Sequence, residues 1–245
     1  MITTGIIPAR YASTRFPGKP LIDIGGKSMI QRVYEQAKKA KRLTDVVVAT
    51  DDKRIETHVK AFGGNVVMTS ESHQSGTDRC FEAMQKYGSA IDVVINIQGD
   101  EPFIQPEQID LLASCFDSDK VRIATLVKKI TNYDELFNVN TPKVVLNKNA
   151  DAIYFSRQTI PHVRGQEKTQ WLDYQTYYKH IGIYGYTSQA LAEITQLKTS
   201  NLELAEGLEQ LRWLENGYHI RTKQTDIESI AIDAPEDLQK LANFL

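Results

Sequence analysis

The chain has 245 residues, 24% of them charged and 41% hydrophobic, the make-up of an ordinary soluble protein long enough for one sizeable core. A formal net charge of −2 leaves no bulk cationic surface, so neither nucleic acid nor membrane is expected as a partner. No apolar run reaches membrane-spanning length, and Cys80 and Cys115 have neither the number nor the spacing of a disulfide framework or a zinc site. The first residues run straight into Arg10 without the apolar core of a secretory leader, and two free thiols suit a reducing compartment. A cytoplasmic location is expected.

Ile6 and Ile7 read as the end of a buried strand. A loop follows that carries Arg10, Arg15 and Lys19 between Pro8, Pro17 and Pro20. A cationic loop after the first strand of an α/β sheet is where a polyphosphate sits, because such ligands bind outside the carboxyl ends of the strands. Backbone N–H groups and side-chain cations act there on one anion. Ser13 and Thr14 add hydroxyl donors, and Lys19 is placed to neutralise charge that builds on a triphosphate. Gly25-Gly26-Lys27-Ser28 looks like the tail of a P-loop, but the first glycine of that motif would fall on Leu21, so Gly25-Gly26 is a turn.

The periodicity predicts a helix over Ser28–Arg42, with Ile30, Val33, Tyr34 and Ala37 on one face. Asp45–Thr50 is a buried strand, Asp52–Phe62 a helix stopped by Gly63-Gly64, and Val66–Met68 a short strand. Thr77–Tyr87 is a helix preceded by Gln74-Ser-Gly. Asp92–Ile97 is a buried strand, and Pro106–Phe116 a helix. This alternation implies a mainly parallel, Rossmann-like α/β sheet covered on both faces.

The second half changes character. Ile123–Ile130 and Lys143–Leu146 read as antiparallel additions. The aromatic-rich stretch from about Asp151 to Tyr186 reads as an inserted lobe, suited to a subunit interface, although any single aromatic there also fits core packing. Glu203–Leu214 is expected as one helix. Asp233 is expected to cap a last one, with Pro235 in its first turn.

Two acids stand where chemistry is expected. Asp100 follows the strand ending at Ile97 and faces the same crevice as the first loop. Asp233 follows Ile230-Ala-Ile232 and is open to a plain capping role. Mg²⁺ binds through one or two carboxylates plus substrate phosphates. Ser75, Gly76 and the helix they introduce offer backbone groups for a base edge or a phosphate, with Thr77 as an ordinary cap the structural alternative. Neither a dinucleotide-binding glycine fingerprint nor a Gly-x-Ser-x-Gly elbow is present.

These pieces together closely resemble the 3-deoxy-manno-octulosonate (Kdo) cytidylyltransferase family. The resemblance is carried by Ile7-Pro-Ala-Arg-Tyr-Ala-Ser-Thr-Arg15, Pro17-Gly-Lys-Pro-Leu21, Val48-Ala-Thr-Asp51, His73-Gln-Ser-Gly-Thr77 and Gln98-Gly-Asp-Glu-Pro102. Tyr154-Phe-Ser-Arg157, Ile181-Gly-Ile-Tyr-Gly-Tyr186, Leu208-Glu-Gln-Leu-Arg212 and Asp233 complete it. It implies a nucleotidyltransferase sheet forming one domain over 1–245, with a CTP-binding half over about 1–120 and a sugar-binding and dimerisation lobe inserted at about 145–190. It further implies a homodimer that uses Mg²⁺, in the reaction CTP + Kdo → CMP-Kdo + diphosphate, for lipopolysaccharide or capsule assembly.

By the same resemblance Asp100 and Asp233 are the metal ligands, and Arg10 and Lys19 join them as catalytic residues. Ala9, Arg10, Ser13, Lys19, Ser75, Gly76 and Arg79 hold the nucleotide. Arg15, Gln98, Arg157, Arg164, His180, Tyr184 and Glu209 hold the sugar. The sequence departs from the family at His162, where a tryptophan often follows Ile-Pro, and in the loop Val163–Gln170. Three rivals remain in view: an acylneuraminate cytidylyltransferase, a GT-A glycosyltransferase and a non-catalytic nucleotide sensor. Gln98–Pro102 argues against the first, the lack of Asp-x-Asp at Asp51-Asp52 against the second, and the joint presence of Lys19, Asp100 and Asp233 against the third.

Overall fold

Aliphatic and β-branched runs form the strands, and amphipathic stretches form the helices between them. The computed structural model describes residues 1–12, 16–88, 90–228, 230–232 and 234–241. Ser13, Thr14, Arg15 and Asp233 thus lie outside the described residues. In chain order the elements are β1 (Thr3–Ala9), β2 (Asp23–Ile24), β3 (Lys27–Ser28), α1 (Met29–Ala37), β4 (Asp45–Thr50), α2 (Lys53–Ala61) and β5 (Val66–Met68). Next come α3 (Gly76–Lys86), β6 (Val93–Asn96), α4 (Pro106–Ala113), β7 (Ile123–Lys129), α5 (Tyr133–Phe137), β8 (Lys143–Leu146) and β9 (Ala152–Ser156). The last are α6 (Trp171–Tyr174), β10 (Tyr178–Thr187), α7 (Ser188–Ile194), α8 (Asn201–Glu206), α9 (Gln210–Glu215) and β11 (Ile220–Gln224).

β1 is the centre of the sheet. It runs parallel to β4 on one side and β6 on the other, with Ile6 opposite Val47 and Asn96. β5 extends the parallel edge beside β4. β10 is antiparallel to both β6 and β7, while β11 is parallel to β7. The order is β11-β7-β10-β6-β1-β4-β5, with the β8–β9 hairpin attached at the start of β10.

Both faces of the sheet are covered, which is why the central strands are apolar at successive positions rather than alternating. Ile7, Val46, Val48 and Ile95 pack with α1, α2 and α4 through Val33, Ile55 and Leu112. Ile6, Val47 and Val94 pack with α3, α7 and α9 through Ala83, Leu191 and Trp213. The lobe has its own small cluster of Ile130, Leu136, Trp171 and Tyr177, with the Trp171 and Tyr177 rings stacked at 6.4 Å.

The structure corrects several sequence expectations. Glu203–Leu214 is two helices, because Gly207 adopts φ +61° at the end of α8 and turns the chain into α9. Such a left-handed residue closes a helix C-terminus and is strained for any residue with a Cβ. α3 starts at Gly76, capped by the Ser75 hydroxyl, which accepts from the Asp78 N–H at 3.1 Å. Thr77 does not cap it, and its hydroxyl donates instead to Glu209. The 106–116 helix tightens into a 3-10 turn from Ser114. β7 is antiparallel to β10, as expected, but parallel to β11. Pro235–Leu241 is a 3-10 turn rather than an α-helix, and the capping role of Asp233 lies outside the described residues.

Gly207→Ala places a Cβ in the left-handed region. Urea unfolding should show a loss of about 1–2 kcal/mol with an unchanged m-value.

Candidate active site

Parallel pairing brings the carboxyl ends of β1, β4 and β6 to one edge, where they open on a cavity of about 270 Å³. Ala9 and Arg10 line it from the end of β1, and Lys19 from the 3-10 turn Lys19–Leu21. Ser75, Gly76 and Arg79 line it from the start of α3, and Gln98, Gly99 and Asp100 from the loop after β6. Gly99 is needed for the approach of the two loops: a Cβ there would lie 2.8 Å from the Pro8 carbonyl oxygen. The α3 N-terminus adds unpaired N–H groups and a positive dipole end to the same cavity.

Lys19 donates from Nζ to Asp100 Oδ2 at 2.8 Å and to the Ile232 carbonyl at 2.9 Å. The Ile232 N–H in turn donates to the Asp100 carbonyl at 2.9 Å, so the segment ending at Ile232 is tied to both residues. The Asp100 side chain keeps 26% of its surface exposed. Its oxygen donor on an open wall suits a hard cation that draws its remaining ligands from phosphate and water. Among the described residues no three metal-ligating side chains cluster, so a cation here needs those substrate oxygens.

Arg10 is exposed and points no donor at a protein acceptor among the described residues, which leaves its guanidinium free for an anion. Arg79 is different. It is buried and donates to Asp51 Oδ2 at 2.6 Å, Thr69 Oγ1 at 2.6 Å and the Ser70 carbonyl at 3.3 Å. The guanidinium expected to bind nucleotide thus spends these donors on the loops after β4 and β5, and shapes the cavity wall.

A larger cavity of about 420 Å³ lies at the opposite edge, against the starts of β7 and β11. Its Arg122 and Arg221 are already paired with Glu193 and Asp151, and no residue expected at the site lines it.

Of the residues expected to hold a sugar, Gln98, His180 and Tyr184 gather around a bulge in β10. The β10–β7 register steps from Ile181 opposite Leu126 to Tyr184 opposite Thr125, leaving Gly182 and Ile183 unpaired with β7. Four residues of regular strand span about 13 Å. Here the His180 and Tyr184 rings lie 5.1 Å apart on one face. Bulges re-aim side chains in this way. Thr125 holds the bulge, donating its one hydroxyl proton to the Ile183 carbonyl at 2.7 Å or that of Ile181 at 3.2 Å. Gln98 donates to the Gly182 carbonyl at 2.9 Å.

Since the Thr125 proton goes to a carbonyl, its oxygen accepts from His180 Nε2 at 3.0 Å. His180 is therefore the Nε2–H tautomer with Nδ1 left as an acceptor, and burial pushes its pKa down to about 3. Tyr184 is buried, its hydroxyl has no partner, and burial raises its pKa. Burial also raises the Glu209 carboxyl, which accepts from Thr77 Oγ1 at 2.8 Å and from Arg212 at 2.9 Å.

Asn96 Oδ1, Tyr186 OH, Gln210 Nε2 and Trp213 Nε1 are likewise buried without partners. A buried group left unpaired costs about 1–3 kcal/mol, which internal water offsets, and the Tyr186 hydroxyl lies within reach of Thr77 and Asn96. Asn96 and Tyr186 escaped the sequence reading. The one available signal was a lone amide inside the aliphatic run Val93–Ile97.

Arg157 and Arg164 do not line the cavity. Arg157 donates to the carbonyls of Glu206 at 2.6 Å, Gly207 at 3.3 Å and Val139 at 3.3 Å. Arg164 is exposed in the loop before α6. Ser13, Arg15 and Asp233 lie outside the described residues.

A sequence model of the cytidylyltransferases matches residues 4–228. The chain belongs to the cytidylyltransferase family. Within that family, the 3-deoxy-manno-octulosonate cytidylyltransferase of Parabacteroides distasonis is 63% identical over 98% of this chain and 97% of its own. That of Bacteroides thetaiotaomicron is 61% identical over the same shares. A CMP:2-keto-3-deoxy-manno-octonic acid synthetase solved in complex with CTP superposes with a TM-score of 0.92 at 43% identity, over 100% of this chain and 98% of that one. The chain is therefore a nucleotidyltransferase, on the mostly parallel, helix-flanked sheet seen in that relative.

The neutral state of His180 is directly observable in this family member. Imidazole ¹⁵N NMR at pH 6 should report a neutral Nε2–H ring. The unfolded side chain titrates near 6.5 and the folded one near 3, so His180 contributes stability that is complete above pH 6.5 and lost as pH falls toward 3. A charged ring at pH 6 would contradict the burial and the Thr125 bond.

Proposed function

We propose that this chain activates Kdo with CTP, giving CMP-Kdo and diphosphate. The observation that carries the reading is the convergence of Arg10, Lys19, Ser75-Gly76 and Asp100 on one cavity at the carboxyl edge of the sheet. Beside it stands the polar, partner-poor group of His180, Tyr184 and Glu209. The relatives named as Kdo cytidylyltransferases supply the sugar.

In this reading the triphosphate lies along Arg10, Lys19 and the α3 N-terminus. These cations and dipoles stabilise charge as it develops on the transferring phosphoryl group. The anomeric C2 hydroxyl of Kdo attacks the α-phosphorus. The new C2–O–P bond forms as the bond to the β-phosphate oxygen breaks, diphosphate leaves, and the hydroxyl proton passes to solvent. Lys19 is held by Asp100 and the Ile232 carbonyl, so its ammonium is oriented before the phosphates arrive. Asp100, with Asp233 as the expected second ligand, would hold Mg²⁺. That ion would supply charge neutralisation and a lowered hydroxyl pKa.

His180, kept neutral, is an acceptor for a sugar hydroxyl and not a base. Tyr184 and Glu209 are further hydroxyl partners. Ser13 is a proposed phosphate contact, and Arg15 and Arg164 remain proposed carboxylate contacts. Arg79 acts on the nucleotide through the wall it builds.

The division into a CTP-binding half and a sugar-binding lobe within one domain belongs to the same reading. So does a homodimer. Ile153, Tyr174 and Leu204 are 56%, 61% and 72% exposed on the lobe and on α8, large apolar side chains that a second copy would cover. No helix among the described residues is long and apolar enough to cross a membrane. A cytoplasmic role ahead of lipopolysaccharide assembly fits a reaction fed by CTP.

Diphosphate release from CTP and Mg²⁺, with Kdo and N-acetylneuraminate supplied in parallel, tests the proposal. Release with Kdo alone is expected. Release only with the sialic acid keeps the mechanism and overturns the specificity, and release with neither overturns the reading. Asp100→Ala should lower kcat by at least about 10²–10³-fold while far-UV circular dichroism stays unchanged. Turnover at the wild-type rate in that variant rules out a metal role for Asp100.

A further inference from the structure

Lys143, the first residue of β8, is fully buried, yet among the described residues it makes no ion pair with a carboxylate. Its Nζ donates to the Arg157 carbonyl at 2.7 Å and the Asn138 carbonyl at 2.9 Å. Burial lowers its pKa, with the nearby Glu206 charge opposing that shift. A buried ammonium satisfied only by carbonyls costs folding free energy, and an apolar side chain of similar size would fill the same space at less cost. The arrangement calls for a reason other than stability.

The geometry around Arg157 supplies one. Its N–H donates to Glu206 Oε2 at 2.9 Å, and its carbonyl accepts from Lys143. Its guanidinium reaches the Glu206, Gly207 and Val139 carbonyls. The first two are the open carbonyls at the end of α8, which a cation satisfies and stabilises. Glu206 Oε1 also accepts from Ser156 Oγ at 2.6 Å. The corner from Glu206 to Glu209 is thus pinned to β9 and to the loop before β8 through one arginine. Lys143 fixes that arginine's carbonyl and the residue next to Val139. Glu209, at the end of the corner, reaches across to Thr77 at 2.8 Å.

We propose that Lys143 is a positioning residue for the sugar side of the site. It fixes Arg157, and through Arg157 the corner that sets Glu209. It does not touch substrate. This rests on the Kdo reading above.

The test uses the full-length enzyme as wild type, Lys143→Met, Lys143→Arg, Arg157→Ala and the double variant Lys143→Met/Arg157→Ala. Diphosphate release is followed with Kdo varied at saturating CTP, and then the reverse. Lys143→Met should raise the KM for Kdo about tenfold and leave that for CTP within about twofold. The double variant should be no worse than Arg157→Ala, the non-additivity of residues acting in series. Lys143→Arg, which keeps the donors, should restore most of the Kdo KM. An unchanged Kdo KM, equal rises for both substrates, or additive effects overturn the proposal. A lowered melting temperature with an unchanged Kdo KM overturns it as well.

If Lys143→Met does not fold, Glu206→Gln stands in. It weakens the Arg157 N–H bond at a half-buried position, and the same Kdo-selective, non-additive pattern is expected. Amide hydrogen exchange reads the proposal without sugar. Exchange at residues 206–209 should rise in Lys143→Met, or in Glu206→Gln where that stands in, and exchange at residues 76–79 should not. Unchanged exchange at the corner overturns the positioning role. A wild type that fails to turn over Kdo while the corner still loosens overturns the substrate reading instead.

Discussion

The register of β1 between β4 and β6 is the constraint on which the site depends. Parallel pairing on both sides places Ala9 level with Thr50 on one flank, and Ile6 level with Asn96 on the other. The three chain ends then leave the sheet at one edge, carrying Arg10, Asp51 and Gln98 into one neighbourhood. A one-residue slip of β1 would turn Ile6 and Ile7 to each other's faces and separate the cationic loop from Asp100. The two hydrophobic layers that hold the register are the energetic foundation of a site made of loops.

On that edge the protein divides its charged groups into two kinds. Some are committed to the protein: Arg79 to Asp51, Thr69 and Ser70, and Arg157 to the carbonyls at the end of α8. Two others face the cavity: Arg10, which is open, and Lys19, which Asp100 and the Ile232 carbonyl hold there. The committed arginines shape walls, while the two cations at the cavity are the ones that an incoming polyphosphate would claim in the proposed function. The sugar side follows another logic. In the proposed function the Tyr184 hydroxyl and His180 Nδ1 favour a polyhydroxylated guest, because a substitute without hydroxyls leaves them unpaired.

Much of this was legible in the sequence. β4 and β6 carry the aliphatic runs Val46–Ala49 and Val93–Ile95, β1 carries Ile6-Ile7, and the loops that follow them could be read as strand ends. Lys19 and Asp100 could be named because loop chemistry is local. The break at Gly207 was not legible, because a lone glycine is tolerated within a helix and only its left-handed conformation marks the end. The commitments of Arg79 and Arg157 were hidden for a related reason: sequence shows a charge and not what neutralises it. The bulge at Gly182–Ile183 depends on strand pairing between residues more than fifty positions apart, so no local pattern announces it.

That bulge has an evolutionary meaning. Removing Gly182 and Ile183 would let β10 pair with β7 without interruption, and a more regular ladder is, if anything, a better sheet. The same change would leave His180 opposite Val127 and Tyr184 opposite Thr125, but it would remove the Ile183 carbonyl that Thr125 holds and the Gly182 carbonyl that Gln98 holds. Selection for stability alone would drift toward the regular strand. Under the proposed function the irregularity is kept for recognition, because it ties β10 to Gln98 and Thr125 on the face that carries His180 and Tyr184.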